Sequence, residues 1–136
     1  MKRLLLGFAL AATFAGVSVN AAPKTQASII LNTPALAAPT SSTSTWPKIG
    51  DWVNFTSIFP DSLNRYSMSI QVLCYQNGLL VFATAGRYDH SFLLGGTTSP
   101  WLTNGGPATC NADLYYWSTN GTKFNIVAST QFDVAG

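Results

Sequence analysis

Alternation of apolar and polar side chains is the clearest pattern in the second half of the chain. Apolar residues occupy every second position in Tyr66–Cys74 and again in Phe124–Val134, with a shorter example in Val53–Thr56. A period of two places one set of side chains on a buried face of a strand and the other set in solvent. The pattern therefore predicts an antiparallel β structure whose first long strand buries its row up to Cys74.

The pair Asn77-Gly78 follows the first of these runs and predicts a hairpin. Asn and Gly tolerate the positive φ that a type I′ turn requires. A two-residue turn here would place Cys74 opposite Val81 and Val72 opposite Ala83.

The pair Asn120-Gly121 predicts a second hairpin of the same type. Its register would place Trp117 opposite Phe124 and Tyr115 opposite Ile126. With the alternating run taken as the buried row, we expect Tyr115 and Trp117 on the buried face, and Leu114 and Tyr116 on the other.

Segments outside the strands divide the chain further. Residues 22–45 are rich in Pro, Ser and Thr and predict a flexible tether, in which Ser28–Leu31 is a short apolar segment able to join a sheet edge. The folded domain is expected to span residues 46–136. Gly and Pro punctuate Gly95–Thr109, so we predict a long loop there with Trp101 anchored in it.

The first residues have the order of an export signal. Positive charge in Met1–Arg3 precedes an apolar run, and small residues up to Ala21 offer a cleavage site, so residues 1–21 are predicted to be a signal peptide. No apolar run is long enough to span a bilayer. The expected location is the cell exterior, the cell surface or the periplasm, where Cys74 and Cys110 would form a disulfide.

Net charge narrows the range of partners. Removal of Lys2 and Arg3 leaves five basic residues against five acidic ones. A neutral exported chain has no electrostatic reason to bind nucleic acid. The expected partners are an extracellular glycan or protein, or further copies of the chain in an assembly.

The segment Cys110–Trp117, with its following turn and alternating strand, resembles the last hairpin of an immunoglobulin-like or fibronectin-III-like domain. The resemblance implies that Tyr115 hydrogen-bonds back to the preceding corner. The string Cys74–Val81 also resembles a stretch found in short exported bacterial proteins. The resulting fold class is all-β, an antiparallel β-sandwich with one disulfide, for which an immunoglobulin-like topology is one arrangement.

Catalytic chemistry has little support in this sequence. His90 is the single histidine, and its neighbours Asp89 and Ser91 cannot converge on it as a triad would. The five aspartates are dispersed and the two cysteines are committed to a disulfide, so we expect no metal site and no cofactor. A small hydrolase is the weakest functional alternative, and we expect no enzyme.

Aromatic side chains are the better functional lead. We expect Trp101, Tyr88 and Tyr116 to be partly exposed and, with His90, to form a ligand-binding surface on the loops Arg87–Phe92 and Gly95–Thr109. The leading hypothesis is a non-catalytic recognition or adhesion module with Trp101 as its anchor. The alternative is a structural subunit whose Ser28–Leu31 segment completes the sheet of a neighbour.

Overall fold

The structure is a computed structural model that describes residues 26–32 and 46–136. The predicted signal peptide and most of the predicted tether lie outside the described residues. One 3-10 turn covers Arg65–Ser67 and one α-helix, α1, covers Pro100–Asn104. The strands are β1 (Ser28–Leu31), β2 (Trp52–Val53), β3 (Phe55–Ile58), β4 (Met68–Gln76), β5 (Leu79–Arg87), β6 (Phe92–Leu93), β7 (Ala108–Trp117) and β8 (Phe124–Val134).

The main sheet has four strands in the order β5-β4-β7-β8, and every neighbouring pair in it is antiparallel. Two smaller antiparallel pairs, β1 with β3 and β2 with β6, complete the described part. Strand β1 lies close to β7 and β8, and the rings of Phe55 in β3 and Phe132 in β8 are 5.9 Å apart. The prediction of an all-β antiparallel fold is confirmed.

The core lies against one face of the main sheet. The even-numbered residues of β4 as far as Cys74 and of β7 as far as Leu114 are fully or almost fully buried: Met68, Ile70, Val72, Cys74, Ala108, Cys110, Ala112 and Leu114. Cys74 and Cys110 are directly opposite each other in this row and form the predicted disulfide. The bridge joins two neighbouring strands of one sheet, whereas the immunoglobulin disulfide joins two sheets.

The short apolar segment Ser28–Leu31 does join a sheet edge, as the sequence predicted. It forms β1 and pairs with β3 of the same chain, in a register that places Leu31 opposite Phe55. Ile29 is buried in the common core. The segment therefore completes the fold of its own chain.

The β4–β5 hairpin has the predicted turn but a different register. Asn77 and Gly78 have φ values of 49° and 79°, as a type I′ turn requires. The prediction that Cys74 lies opposite Val81 is wrong, because its partner is Phe82. A β-bulge at Val81 adds one residue to β5 after the turn, and this turns Phe82 into the core.

The β7–β8 hairpin has the predicted register near its turn but the opposite faces. Trp117 pairs with Phe124 and Tyr115 with Ile126, as expected. Their assignment to the buried face is wrong: Leu114 is buried and Trp117 is 52% exposed. A bulge at Val127 offsets the two ends of β8 by one residue, so the apolar alternation of β8 does not follow a single face.

The turn of this second hairpin also differs from the prediction. Among the described residues Asn77 is the only non-glycine with positive φ, so Asn120-Gly121 is not a type I′ turn. The loop is closed instead by the Ser118 N–H, which donates to the Lys123 carbonyl over 2.8 Å, and the Gly121 N–H, which donates to the Ser118 carbonyl over 2.7 Å.

The segment predicted as a long loop contains α1. Ser99 caps this helix, since its hydroxyl oxygen accepts from the Leu102 N–H, and Pro100 occupies the first turn. Trp101 is only 1% exposed, and its indole Nε1 donates to the Gly106 carbonyl over 2.8 Å. The prediction of a partly exposed Trp101 as ligand anchor is therefore wrong: the helix turns the ring into the core beside Phe82.

Candidate binding surface

Four largely apolar side chains, three of them exposed and one partly buried, form a continuous strip on the outer face of the β7–β8 hairpin. This aromatic strip consists of Tyr115, Trp117, Phe124 and Ile126, which are cross-strand partners in two adjacent pairs. The Tyr115 and Phe124 rings are 4.6 Å apart, and the Trp117 ring meets Phe124 edge-on at 5.3 Å. Phe124 therefore braces both neighbouring rings, and the indole of Trp117 stays half exposed in a fixed position.

A cleft of about 740 Å³ lies beside Trp117. It separates the turn end of the β7–β8 hairpin from the segment before β4. Besides Trp117, it is lined by Leu63, Tyr116, one cation and several side chains with hydroxyl or amide groups: Ser62, Asn64, Ser67, Ser118, Thr119, Lys123 and Asn125. Tyr116 and its cross-strand partner Asn125 face the side opposite to the aromatic strip, so the cleft meets the strip only at Trp117. Its walls offer many neutral hydrogen-bonding groups next to that residue.

Both walls of the cleft are held by short hydrogen bonds. On the hairpin side, Asn120 Oδ1 accepts from the Ser118 hydroxyl over 2.6 Å and from the Thr122 hydroxyl over 2.7 Å. On the other side, the Ser67 hydroxyl donates to the Asn64 carbonyl over 2.7 Å, and the Ser67 N–H donates to the same oxygen over 2.9 Å. These local bonds fix the backbone on which the lining groups stand.

Next to the aromatic strip, the outer face of the main sheet is polar. The Asp113 carboxylate accepts from Gln71 Nε2 over 2.9 Å and from the Ser129 hydroxyl over 2.6 Å, which links β4, β7 and β8. Four residues away along β7, the Thr109 hydroxyl donates to Asp133 over 3.0 Å. The face thus combines an apolar end with a hydrogen-bonded polar centre.

The residues predicted from sequence to bind a ligand lie in different places. Tyr116 is partly buried and lines the cleft beside Trp117. Tyr88 is partly buried, with its ring edge-on to Phe59 at 5.3 Å. His90 lines a separate groove with Trp52, and this groove shares no lining residue with the cleft. The structure therefore does not bring Tyr88, His90 and Tyr116 together, and Trp101 belongs to the core.

Sequence reasoning missed Trp117 and Phe124 as surface residues, although a signal for Trp117 was present. Cys110, Ala112 and Leu114 form an even-numbered apolar row that ends in the disulfide. Since strand neighbours face opposite ways, that row places Trp117 on the other face. The exposure of Phe124 depends on the bulge at Val127, which has no clear sequence signal.

His90 lies beside an ion pair at the surface. Its imidazole is exposed and lies 4.0 Å from the Asp89 carboxylate. Asp89 already accepts two hydrogen bonds from the Arg87 guanidinium, through Nε at 2.9 Å and through Nη2. The bonds from Arg87 lower the pKa of the Asp89 carboxyl below its ordinary value. Asp89 is thus engaged by a cation rather than poised as a base.

Tyr115 has different surroundings from those that the immunoglobulin resemblance implies. Its ring packs on Phe124 at the outer face. In a tyrosine corner the hydroxyl would bond to the backbone a few residues upstream. The Tyr115 ring is instead part of the aromatic strip on the outer face.

Among residues 26–32 and 46–136, no cluster of three or more His, Cys, Asp or Glu side chains could hold a metal ion. Within the same residues, no helix has both the length and the apolar character needed to cross a bilayer. The chain was compared with protein-family models, with curated proteins and with solved structures, and none of the three comparisons gave a match.

Proposed function

We propose that this chain is an exported, non-catalytic recognition module that binds a neutral carbohydrate polymer at the cleft beside Trp117. The observation that carries the proposal is the combination of a braced, half-exposed indole with walls of hydroxyl and amide groups. Aromatic faces pack on the apolar faces of sugars, while hydroxyls and amides exchange hydrogen bonds with sugar hydroxyls.

Export is supported by two features of the chain. Positive charge followed by an apolar run at the N-terminus has the order of a secretory signal. The disulfide between Cys74 and Cys110 is the state that thiols adopt in an oxidising compartment. Outside the cytosol, the ligands available to such a module are wall polymers, capsules and surface glycans.

Charge favours a neutral polymer over an anionic one. Among the residues that the structure describes, Lys123 is the only charged one that lines the cleft, and it is exposed. A single solvated cation adds little to the binding of a polyanion at physiological salt. Within the cleft itself the apolar lining is limited to Leu63, Tyr116 and Trp117, which is less than the apolar centre of a typical protein interface.

The direct experiment is a binding screen of the processed chain on neutral oligosaccharides, followed by calorimetry with the best soluble one. A soluble oligosaccharide is used so that each chain binds once. We expect Trp117→Ala to weaken binding about tenfold or more, which corresponds to about 1.4 kcal/mol.

The matched control is Trp52→Ala. Trp52 is 64% exposed, slightly more than Trp117, but it lies in the other groove. We expect its replacement to leave the affinity unchanged. Equal affinity of Trp117→Ala and the unmodified chain would refute the role of the cleft, and the absence of any neutral glycan ligand would refute the ligand class.

A further inference from the structure

Strand β5 is an edge of the main sheet, and its outer side is open. Between Leu79 and Gly86, the backbone makes no hydrogen bond beyond β4 within the described residues. Ala83 and Ala85 are exposed, and the groove with Trp52 runs beside them. Unpaired backbone groups on an edge are a template for another strand.

The protections that usually block such an edge are absent from its central part. The sequence from Asn77 to Gly86 contains neither a charged residue nor a proline. The bulge at Val81 lies near the turn, so Phe82–Gly86 remain regularly paired with β4. The side chains beside the open backbone are small, which allows close approach of a second strand.

The ladder also shows which backbone groups point outward. Cys74 and Cys110 have Cα atoms 4.0 Å apart, as in the narrow, non-hydrogen-bonded pair of an antiparallel ladder. The N–H and C=O of Cys74 therefore point towards β5 and bond to Phe82, its partner. By alternation, Thr84 also bonds to β4, and the backbone groups of Ala83 and Ala85 point away from the sheet.

We propose that β5 pairs with β5 of a second copy of this chain, antiparallel about a two-fold axis at Thr84. In this register Ala83 of each copy lies opposite Ala85 of the other, and their outward N–H and C=O groups form two hydrogen-bonded pairs. The two four-stranded sheets become one continuous sheet. This proposal does not depend on the carbohydrate ligand.

A second copy of β5 suits this edge because the edge can pair with itself without a clash of charges. An uncharged edge meets no like-charge repulsion when it pairs with itself. Pairing further covers part of the groove that leaves Trp52 exposed.

The test is sedimentation of the processed full chain over a wide concentration range, with variants designed on the register. We expect the unmodified chain to dimerise. The double variant Ala83→Lys/Ala85→Lys places lysine opposite lysine twice and should give a monomer. The variant Ala83→Lys/Ala85→Asp places opposite charges across the axis and should restore the dimer.

Gln131→Lys is the matched control, because it adds a lysine to an exposed position on β8, the other edge of the sheet. It should dimerise like the unmodified chain. Hydrogen exchange gives a measurement without variants: the amides of Ala83 and Ala85 should be protected at high concentration and exchange rapidly at low concentration. A monomer at all concentrations, a dimer that survives the double-lysine change, or no restoration by the lysine–aspartate pair would overturn the proposal.

Discussion

The two hairpins of the main sheet are built in the same way, but one turns an aromatic side chain into the core and the other leaves it on the outer face. Each has an Asn-Gly pair near its turn and one bulge on its returning strand, at Val81 in β5 and at Val127 in β8. In the first hairpin the bulge turns Phe82 into the core, next to Trp101. In the second, Phe124 lies on the turn side of the bulge and stays on the outer face.

The comparison teaches that a bulge decides which aromatic side chain stabilises the fold and which remains available on the surface. One extra residue exchanges the two faces of a strand over the length that follows it. Because the disulfide holds Cys74 opposite Cys110, it fixes which side chains of β4 and β7 face the core. Only β5 and β8, the outer strands of the two hairpins, can shift their register.

Phe82→Ala and Phe124→Ala should differ most clearly. Phe82 is 8% exposed and Phe124 is 37% exposed. We expect Phe82→Ala to lower the free energy of unfolding by about 3–5 kcal/mol, because it leaves a cavity in the core. Phe124→Ala should cost only about 0.5–1.5 kcal/mol, since it loses ring contacts at the surface. Urea denaturation of both variants measures the difference, and equal losses would contradict the assigned faces.

The disulfide links the inner strands of the two hairpins, so its removal should destabilise both. It joins residues 36 positions apart. The double variant Cys74→Ala/Cys110→Ala should lose about 3–4 kcal/mol in the free energy of unfolding, measured by denaturation with and without reductant. The variant should be insensitive to reductant. A native chain that is equally stable under reducing conditions would show that the bridge contributes nothing.

The two turn asparagines should respond in opposite ways to the same substitution. Asn77 has positive φ, which Gly adopts freely, so Asn77→Gly should leave stability unchanged or slightly raised. Asn120 acts through its side-chain oxygen, which accepts from Ser118 and Thr122. Asn120→Gly should therefore cost about 1 kcal/mol. Thermal unfolding compares the two, and a similar response of both would show that the turns are of one type.

The ends of the two hairpins away from their turns are held by different interactions, and only the end beyond β5 should make stability depend on pH. Beyond β5, Arg87 lowers the pKa of Asp89, whereas β8 ends in backbone hydrogen bonds from Ala135 to Pro47 and from Ile49 to Ala135. A carboxyl group whose pKa is lowered in the folded state stabilises the fold at pH values above the ordinary pKa of an aspartate. This contribution is lost as the pH falls through the lowered pKa. We expect a small loss of thermal stability in that acidic range. Asp89→Asn should abolish this particular contribution, and an unchanged pH profile in the variant would contradict it.

Much of the fold could be predicted because its signals are local and regular. The buried row of β4, the Asn77-Gly78 turn and the disulfide each follow from residue type and spacing. The registers were only partly predictable, because a bulge inserts one residue without a distinctive sequence signature.

The candidate site was predictable in chemistry but not in position. Exposed aromatic residues were expected, and Tyr116 does line the cleft. The anchor was placed on Trp101 because the Gly- and Pro-rich segment suggested a loop. Ser99-Pro100 and Gly105 are nevertheless start and stop signals of a short helix, and with them Trp101 could have been recognised as part of a packed element.

The most direct test of the central claim uses the four tryptophan indoles of the chain as internal reporters. Titration with a neutral oligosaccharide is followed by the NMR signals of the indole N–H groups. We predict that the Trp117 signal shifts with ligand concentration, while the signal of buried Trp101, bonded to the Gly106 carbonyl, stays in place. A saturable shift of Trp52 or Trp101 with no change at Trp117 would contradict the claim that the cleft beside Trp117 binds the ligand.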